Sequence, residues 1–279
     1  MKLPSFNNII CATGVNPPNL QGIWGGTVTP PWSSDFTTNG NLPVAVSHYL
    51  QANTPELMLP LFDKLESLYD DFRTNAKVLF GCRGIYISSH FASHGLNNHF
   101  DATWPMTFWT VGAAWYAMFY YDYYLYTLDK EFLRKRALPF MEDAALFYED
   151  FLIEGEDGKL VFCPSYSPEN NLVSTHDPGG TFNVDISGGY PSLIMKMLVY
   201  SDIGTISLLP ALPDVWQTGS LKGAALRGGI ILEDLKWNDG KVEAVIVSKI
   251  DQKITITVCN NDTREVNLKA DQPFKFTNY

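Results

Sequence analysis

Positive charge is scarce in this chain of 279 residues: 20 Lys and Arg stand against 30 Asp and Glu, a net charge of −10. A nucleic-acid partner needs clustered cations, so that class of function is disfavoured. Charge of either sign is thin at 18%, whereas hydrophobic residues reach 46%, which excludes global disorder and allows one large domain or two modest ones. Cysteine is rare as well. Cys11, Cys82, Cys163 and Cys259 are far apart with no C-x-x-C pair, so metal-site spacing and a disulfide framework are both missing, and the four read as buried thiols. No apolar run is long enough for a membrane span, and the opening MKLPSFNNIICATGVNPP lacks the apolar core of an export signal. As written, the chain is expected in the cytoplasm, with no membrane partner, no metal and no other cofactor. Internal repeats and low-complexity tracts are absent too.

Aromatic residues, by contrast, are plentiful at 14%. A large core explains them more economically than a sugar site, where aromatic faces stack on the C–H-rich faces of a pyranose. The segment NLQGIWGGTVTPPWSSDFTTNGNLP, Asn19 to Pro43, concentrates Trp24, Trp32 and several amides and carries a single charge, Asp35. Its Gly, Pro, Thr and Asn content predicts a loop. After it, Thr54, Pro55 and the spacing of Leu57, Leu61, Leu65 and Leu68 predict a helix that stops at Gly81. Residues 82–103 again read as loop, with His90, His94 and His99. The stretch WPMTFWTVGAAWYAMFYYDYYLYTLD is apolar nearly all round and predicts a buried helix. A second, amphipathic helix starts at Asp129 and kinks at Pro139, and a short one falls around GGYPSLIMKM. Beyond Gly204, β-branched residues, period-two stretches and turns such as Asn238-Asp239-Gly240 predict strands. Two units follow from this change of texture, 1–203 and 204–279. Long polar loops between buried helices favour a toroid of α-helical hairpins over an ordinary bundle.

Glycoside hydrolysis with inversion needs a protonated carboxyl for the leaving oxygen and a base for water, with the two groups roughly 6.5–9.5 Å apart. Two carboxylates lie in irregular, aromatic-rich sequence. Glu169, in CPSYSPEN, follows two prolines that fix the backbone; a first-turn helical Glu after Pro168 is the plainer alternative. Asp185, in FNVDISGGY, precedes paired glycines where backbone can approach a ligand, and a helix N-cap explains it equally well. Asn39 and Asn41 flank Gly40. An amide is a poor base, but it orients and polarises water once a carboxylate accepts its N–H. Taken alone, Asn-Gly-Asn is turn chemistry. The histidines, taken alone, are structural.

NLQGIW…TPPWSSDFTTNGNL, DATWPM, LYTLDKEFLRKRALPFMEDAALFYEDFL, PSYSPEN and LLPALPDVWQTGSLKGAALRGG occur in order, and together they resemble glycoside hydrolase family 95, over about Val15 to Val247. The resemblance implies an inverting α-L-fucosidase, or an α-L-galactosidase, acting on fucosylated glycans. It implies an (α/α)6 barrel followed by a small β domain, and frequent export from the cell. By the same resemblance Asn41 positions the attacking water with help from Asn39, Asp185 makes the amide basic, and Glu169 is the general acid. His90, Trp104 and Trp32 are expected to touch the sugar. Departures accompany it. Glu169 and Asp185 are only 16 positions apart (185 − 169), the helical stretches are too few to close a six-hairpin toroid, and the family's N-terminal sandwich domain has no counterpart. The fold class expected is therefore mainly α, a partial (α/α)6 toroid followed by a C-terminal β domain, with Phe119, Tyr123 and Leu125 left without neighbours. Two other readings remain open: a non-catalytic carbohydrate-binding remnant, and an inactive fragment.

Overall fold

The computed structural model describes residues 4–97, 105–166, 185–259 and 261–278, and side chains within these except at 4–7 and 185–188. The helical region contains α1 (Pro4–Ala12), a two-residue strand β1 (Phe36–Thr37), α2 (Asn41–Val46), α3 (Leu59–Ser67), α4 (Tyr69–Phe80), β2 (His90–Phe91) and α5 (Gly112–Thr127). It continues with α6 (Lys130–Phe132), α7 (Leu138–Phe151), the hairpin β3 (Ile153–Glu154) and β4 (Leu160–Val161), and α8 (Asp185–Leu198).

The single helix expected over 54–81 is three pieces. Pro60 near the start of α3 forces a fresh helix start after the 3-10 turn Pro55–Met58, because proline has no N–H for the preceding turn. The chain bends again at Leu68, whose backbone leaves helical values although no breaker is present in the sequence. α4 then ends as its glycine predicts. Gly81 is left-handed, and Gly81 and Cys82 return hydrogen bonds to Lys77 and Ala76, the paired closure of a glycine-capped helix. The second helix starts later than expected. Met106–Phe108 is a 3-10 turn, and α5 begins at Gly112, where a Cβ would lie 2.5 Å from the Ile87 carbonyl oxygen. Asp129 caps α6 by accepting from the N–H groups of Glu131 and Phe132, both at 2.9 Å. Between α6 and α7 a π-helical turn, Leu133–Ala137, absorbs the disturbance ahead of Pro139.

The aromatic surplus mostly fills the core. Tyr120 stacks on Phe140 at 4.2 Å, and Phe62, Tyr123 and Phe132 close around them. Two expectations fail here. Tyr123 and Leu125 are buried and Phe119 packs on the core; the uncovered residues of α5 are Met118, 64% exposed, and Tyr121, 44% exposed. A helix that is apolar all round therefore still has one open face. Of the cysteines only Cys82 is buried; Cys11, Cys163 and Cys259 are exposed, because each lies at an element end or in a connection rather than on an inward-facing position.

Helix gives way to sheet at Leu198. Nine strands follow among the described residues: β5 (Val199–Asp202), β6 (Thr205–Leu208), β7 (Thr218–Leu221), β8 (Ala224–Leu226), β9 (Ile230–Asn238), β10 (Lys241–Ser248), β11 (Gln252–Val258), β12 (Asp262–Leu268) and β13 (Phe274–Thr277). They form a sheet ordered β13-β10-β9-β7, with β8 also on β9, and a second ordered β12-β11-β6-β5. The β9–β10 hairpin turns on Asp239 and Gly240, both with positive φ, the mirror-image turn that matches strand twist. Alternate residues of β10 (Val242, Ala244, Ile246) and β11 (Ile254, Ile256, Val258) face a shared core. The region is β-sandwich-like.

The two regions are joined side by side. Arg227 donates to both oxygens of Asp122 on α5 at 3.0 Å and to the Ser201 carbonyl. Gly228 N–H donates to Leu125 O at 2.8 Å and Ala225 N–H to Gln51 O at 3.1 Å.

Candidate functional site

Residues 19–43 are a folded loop. Asn19 donates its amide to Ser34 O and Oγ at 2.8 and 2.9 Å, and Leu20 N–H donates to Asp35 O at 2.9 Å. These bonds fold the two ends of the segment together. Between them, Trp32, Ser33 and Ser34 are successive left-handed residues with φ of 46, 57 and 51°. None is glycine, and each such conformation costs on the order of 1–3 kcal/mol. Trp32 is 58% exposed, and Trp24 on the same loop is 42% exposed.

The loop then pairs with the histidine segment. In the β1–β2 ladder Thr37 lies opposite His90 and Phe36 opposite Phe91, and Thr38 N–H donates to Ser89 O at 2.8 Å. The histidine segment is fixed from the other side by α4. Asp71 accepts from Gly95 N–H at 2.7 Å, while Asn75 donates to Gly95 O at 2.8 Å and accepts from Asn97 N–H at 2.9 Å. His90 is thus held in a buried position, its Nδ1 3.0 Å from Asp35 Oδ2, while Thr37 Oγ1 donates to Asp35 Oδ1 at 2.7 Å.

Asn41 is not in a turn; it is the first residue of α2, and Val44 N–H closes the first helical bond to Gly40 O at 2.9 Å. Asn41, Thr37 and Asn19 border one narrow crevice, which places the helix start beside the His90 strand pair. Asn39 is half-buried, and its side-chain oxygen has no hydrogen-bond partner among the described residues. A Cβ at Gly40 would meet nothing within 4 Å, so packing does not require glycine there.

α8 lies along α2. A Cβ at Gly189 would come within 2.5 Å of Val44, and Ser192 Oγ is 3.3 Å from Gln51 Oε1. Gln51 lies in the turn after α2, and α8 begins at Asp185. The side chain of Asp185 is outside the described residues, as are Glu169 and Trp104 altogether. Asn39 and Asn41 thus follow directly on the strand that pairs with His90, and Trp32 is exposed on the loop ahead of it. Asp35 was not among the expected site residues. The available signal was its standing as the single charge in an otherwise neutral segment.

Between α2, α5 and the end of α8 lies a cavity of about 290 Å³ lined by Val44, Trp115, Met118, Phe119 and Lys196, with Arg227 at its floor. Below α2, His48 is 1% exposed, and burial pushes its imidazole down to about 4. Among the described residues no group of three or more His, Cys, Asp or Glu could hold a metal ion, and no helix is long and apolar enough to cross a membrane.

The fold itself defines the class: a helical domain followed by a β-sandwich-like domain, an arrangement superposing on a putative kojibiose phosphorylase from human microbiome with a TM-score of 0.61 at 7% identity, over 95% of this chain and 62% of that one. Within that class the chain belongs to glycosyl hydrolase family 95, whose catalytic domain matches residues 10–198 and whose C-terminal domain matches residues 200–277. It is 35% identical over 196 residues to alpha-L-fucosidase 2 of Arabidopsis thaliana, covering 70% of this chain and 23% of that protein. With a probable alpha-fucosidase A of Aspergillus niger it shares 30% identity over 176 residues, 58% of this chain and 21% of the other. The chain thus spans less than a quarter of the length of these relatives.

Proposed function

We propose that this chain carries the sugar-binding and water-activating part of an inverting α-L-fucosidase, acting on terminal α-L-fucose, or α-L-galactose, of glycans. The names of its relatives support the substrate class. The observation that supports the mechanism is the packing of α8, which begins at Asp185, against α2, which begins at Asn41.

In this reading Asp185 accepts the Asn41 amide N–H and shifts charge toward the amide oxygen. That oxygen holds a water proton while the water oxygen attacks the anomeric carbon. As the glycosidic bond breaks, Glu169 gives its proton to the departing oxygen. Asn39 assists the water, and His90, Trp104 and Trp32 contact the sugar. The helical region is a partial (α/α)6 toroid, and the division falls at 1–203 and 204–279. The exposed Met118 and Tyr121 on α5 support a ring with missing neighbours, in which an open pocket lets bulk water compete and lowers turnover. The open face also supports a second reading, a carbohydrate-binding chain without catalysis.

Hydrolysis of an aryl α-L-fucoside, with the product anomer followed by NMR, separates them. Slow release of the β-anomer supports the enzyme, and binding without release supports the second reading. Fast turnover, on the scale of an intact fucosidase, overturns the open pocket. Glu169→Gln should lose most activity on substrates with poor leaving groups; equal loss on all substrates removes Glu169 as acid.

A further inference from the structure

We infer that the cavity of about 290 Å³ between α2, α5 and the end of α8 binds a pyranose that carries one carboxylate, a hexuronate, at a site separate from the proposed fucose crevice. The two share no lining residue: Asn41 borders the crevice with Asn19 and Thr37, and none of these three lines the cavity. Small-ligand sites occupy roughly 300–1,000 Å³, so this cavity takes a single ring and not an extended glycan. Trp115 and Phe119, on successive turns of α5, give it an aromatic wall that suits the C–H-rich face of a pyranose. The charged groups set the sign of the ligand. Arg227 and Asp122 bind each other through two 3.0 Å hydrogen bonds and cancel, and the Ser201 carbonyl holds Arg227 further in place. Asp122 is left with accepting capacity for a sugar hydroxyl. Lys196 on α8 is exposed and makes none of the ion pairs among the described residues. The lining therefore has one positive charge in excess, within a chain whose net charge is −10. One carboxylate balances it. A phosphate monoester, at about −1.5 to −2, is only partly balanced there. Lys196 and Arg227 also line an adjoining recess of about 140 Å³ with Gln51, Tyr126 and Ser201. No acidic side chain lines that recess, so a carboxylate beside the two cations meets hydrogen-bonding groups.

The test is titration of the whole ¹⁵N-labelled chain with D-galacturonate, beside D-galactose as its neutral counterpart and acetate as the bare anion. Saturable galacturonate shifts should include the Trp115 indole N–H and the Lys196 amide and leave Asn19 and Thr37 unmoved. D-galactose should bind about tenfold more weakly, the scale of one charged hydrogen bond, and acetate more weakly still. Lys196→Met keeps the stem and removes the charge at an exposed position, so the fold is kept. It should weaken galacturonate about tenfold and leave galactose unchanged. The absence of saturable galacturonate shifts overturns the inference, as does acetate or galactose binding as well as galacturonate. An unchanged galacturonate affinity in Lys196→Met overturns it too. L-fucose should not displace galacturonate; displacement, or galacturonate shifts at Asn19 and Thr37 in place of the cavity, means that there is no separate site. Failure of L-fucose to bind at all contradicts the fucoside reading and leaves this site standing.

Discussion

Both regions bury a dense core, and both leave apolar side chains outside, but in the β region these sit at turns, in connections or on a short strand (Tyr200, Ile203, Val215, Ile250) rather than along a helix. In the β region inward and outward residues alternate strand by strand, and the two sheets close on a common core. The helical region also has a dense centre, yet α5 shows Met118 and Tyr121 to solvent and α8 shows Tyr190 and Leu193 at 50 and 56% exposure. A sheet pair satisfies itself with two inner faces. A helix that is apolar all round needs neighbours on every side, and α5 has them on only part of its circumference. The two sheets of the β region enclose their core between them, whereas the helical region leaves part of α5 and α8 open.

The comparison is most strongly tested by truncating each core. Phe62→Ala in the helical core and Leu232→Ala in the β core remove fully buried side chains and should cost about 3–5 and 2–5 kcal/mol respectively. Calorimetry with amide exchange should show Phe62→Ala lowering the helical transition while β9 and β10 keep their protection. Loss of protection in both regions at once would mean that the β region is not self-sufficient.

Acid separates the regions next. His48 has a folded-state pKa of about 4 against 6.5 unfolded, so between those values the unfolded chain binds the extra proton. Stability is therefore intact above about pH 6.5 and falls as pH drops toward 4, by roughly 3 kcal/mol in all. Denaturant unfolding across this range should show the loss in the helical transition, and His48→Gln should flatten it. A smaller effect follows from Arg227→Ala, which takes a charged hydrogen-bonding partner from Asp122. It should cost about 1.5–3 kcal/mol and pull the two transitions apart. Met118→Lys lies at the bottom of the scale. It should change stability by no more than about 0.5 kcal/mol, measured by denaturant unfolding, because the side chain already faces water. A large loss of stability would mean that the face is covered.

Much of this contrast was legible in the sequence. Period-two patterns and the Asp239-Gly240 turn marked the strands, and Asp129 and Gly81 marked helix ends. The Asn39–Asn41 motif on its own reads as a turn, and only the family resemblance singles it out. What escaped depended on contacts between distant segments. The bend at Leu68 has no local breaker, and α2 has no helical signature because Asn-Gly-Asn looks like a turn until α8 lies against it. The same holds for Asp35, whose partners Thr37 and His90 are brought to it by a strand pair only two residues long. The misjudged face of α5 has a plain cause: a helix with no polar side gives no hint of which side is outward.

The proposed sugar site lies in the helical region, at the loop of residues 19–43 and the starts of α2 and α8. A ¹H–¹⁵N correlation spectrum of the whole chain titrated with L-fucose tests it most directly. Saturable shifts clustered at residues 19–43 and 85–91, including the Asn41 side-chain amide, with β9–β13 unmoved, are the predicted result; shifts confined to the β region, or none at saturating sugar, would contradict it.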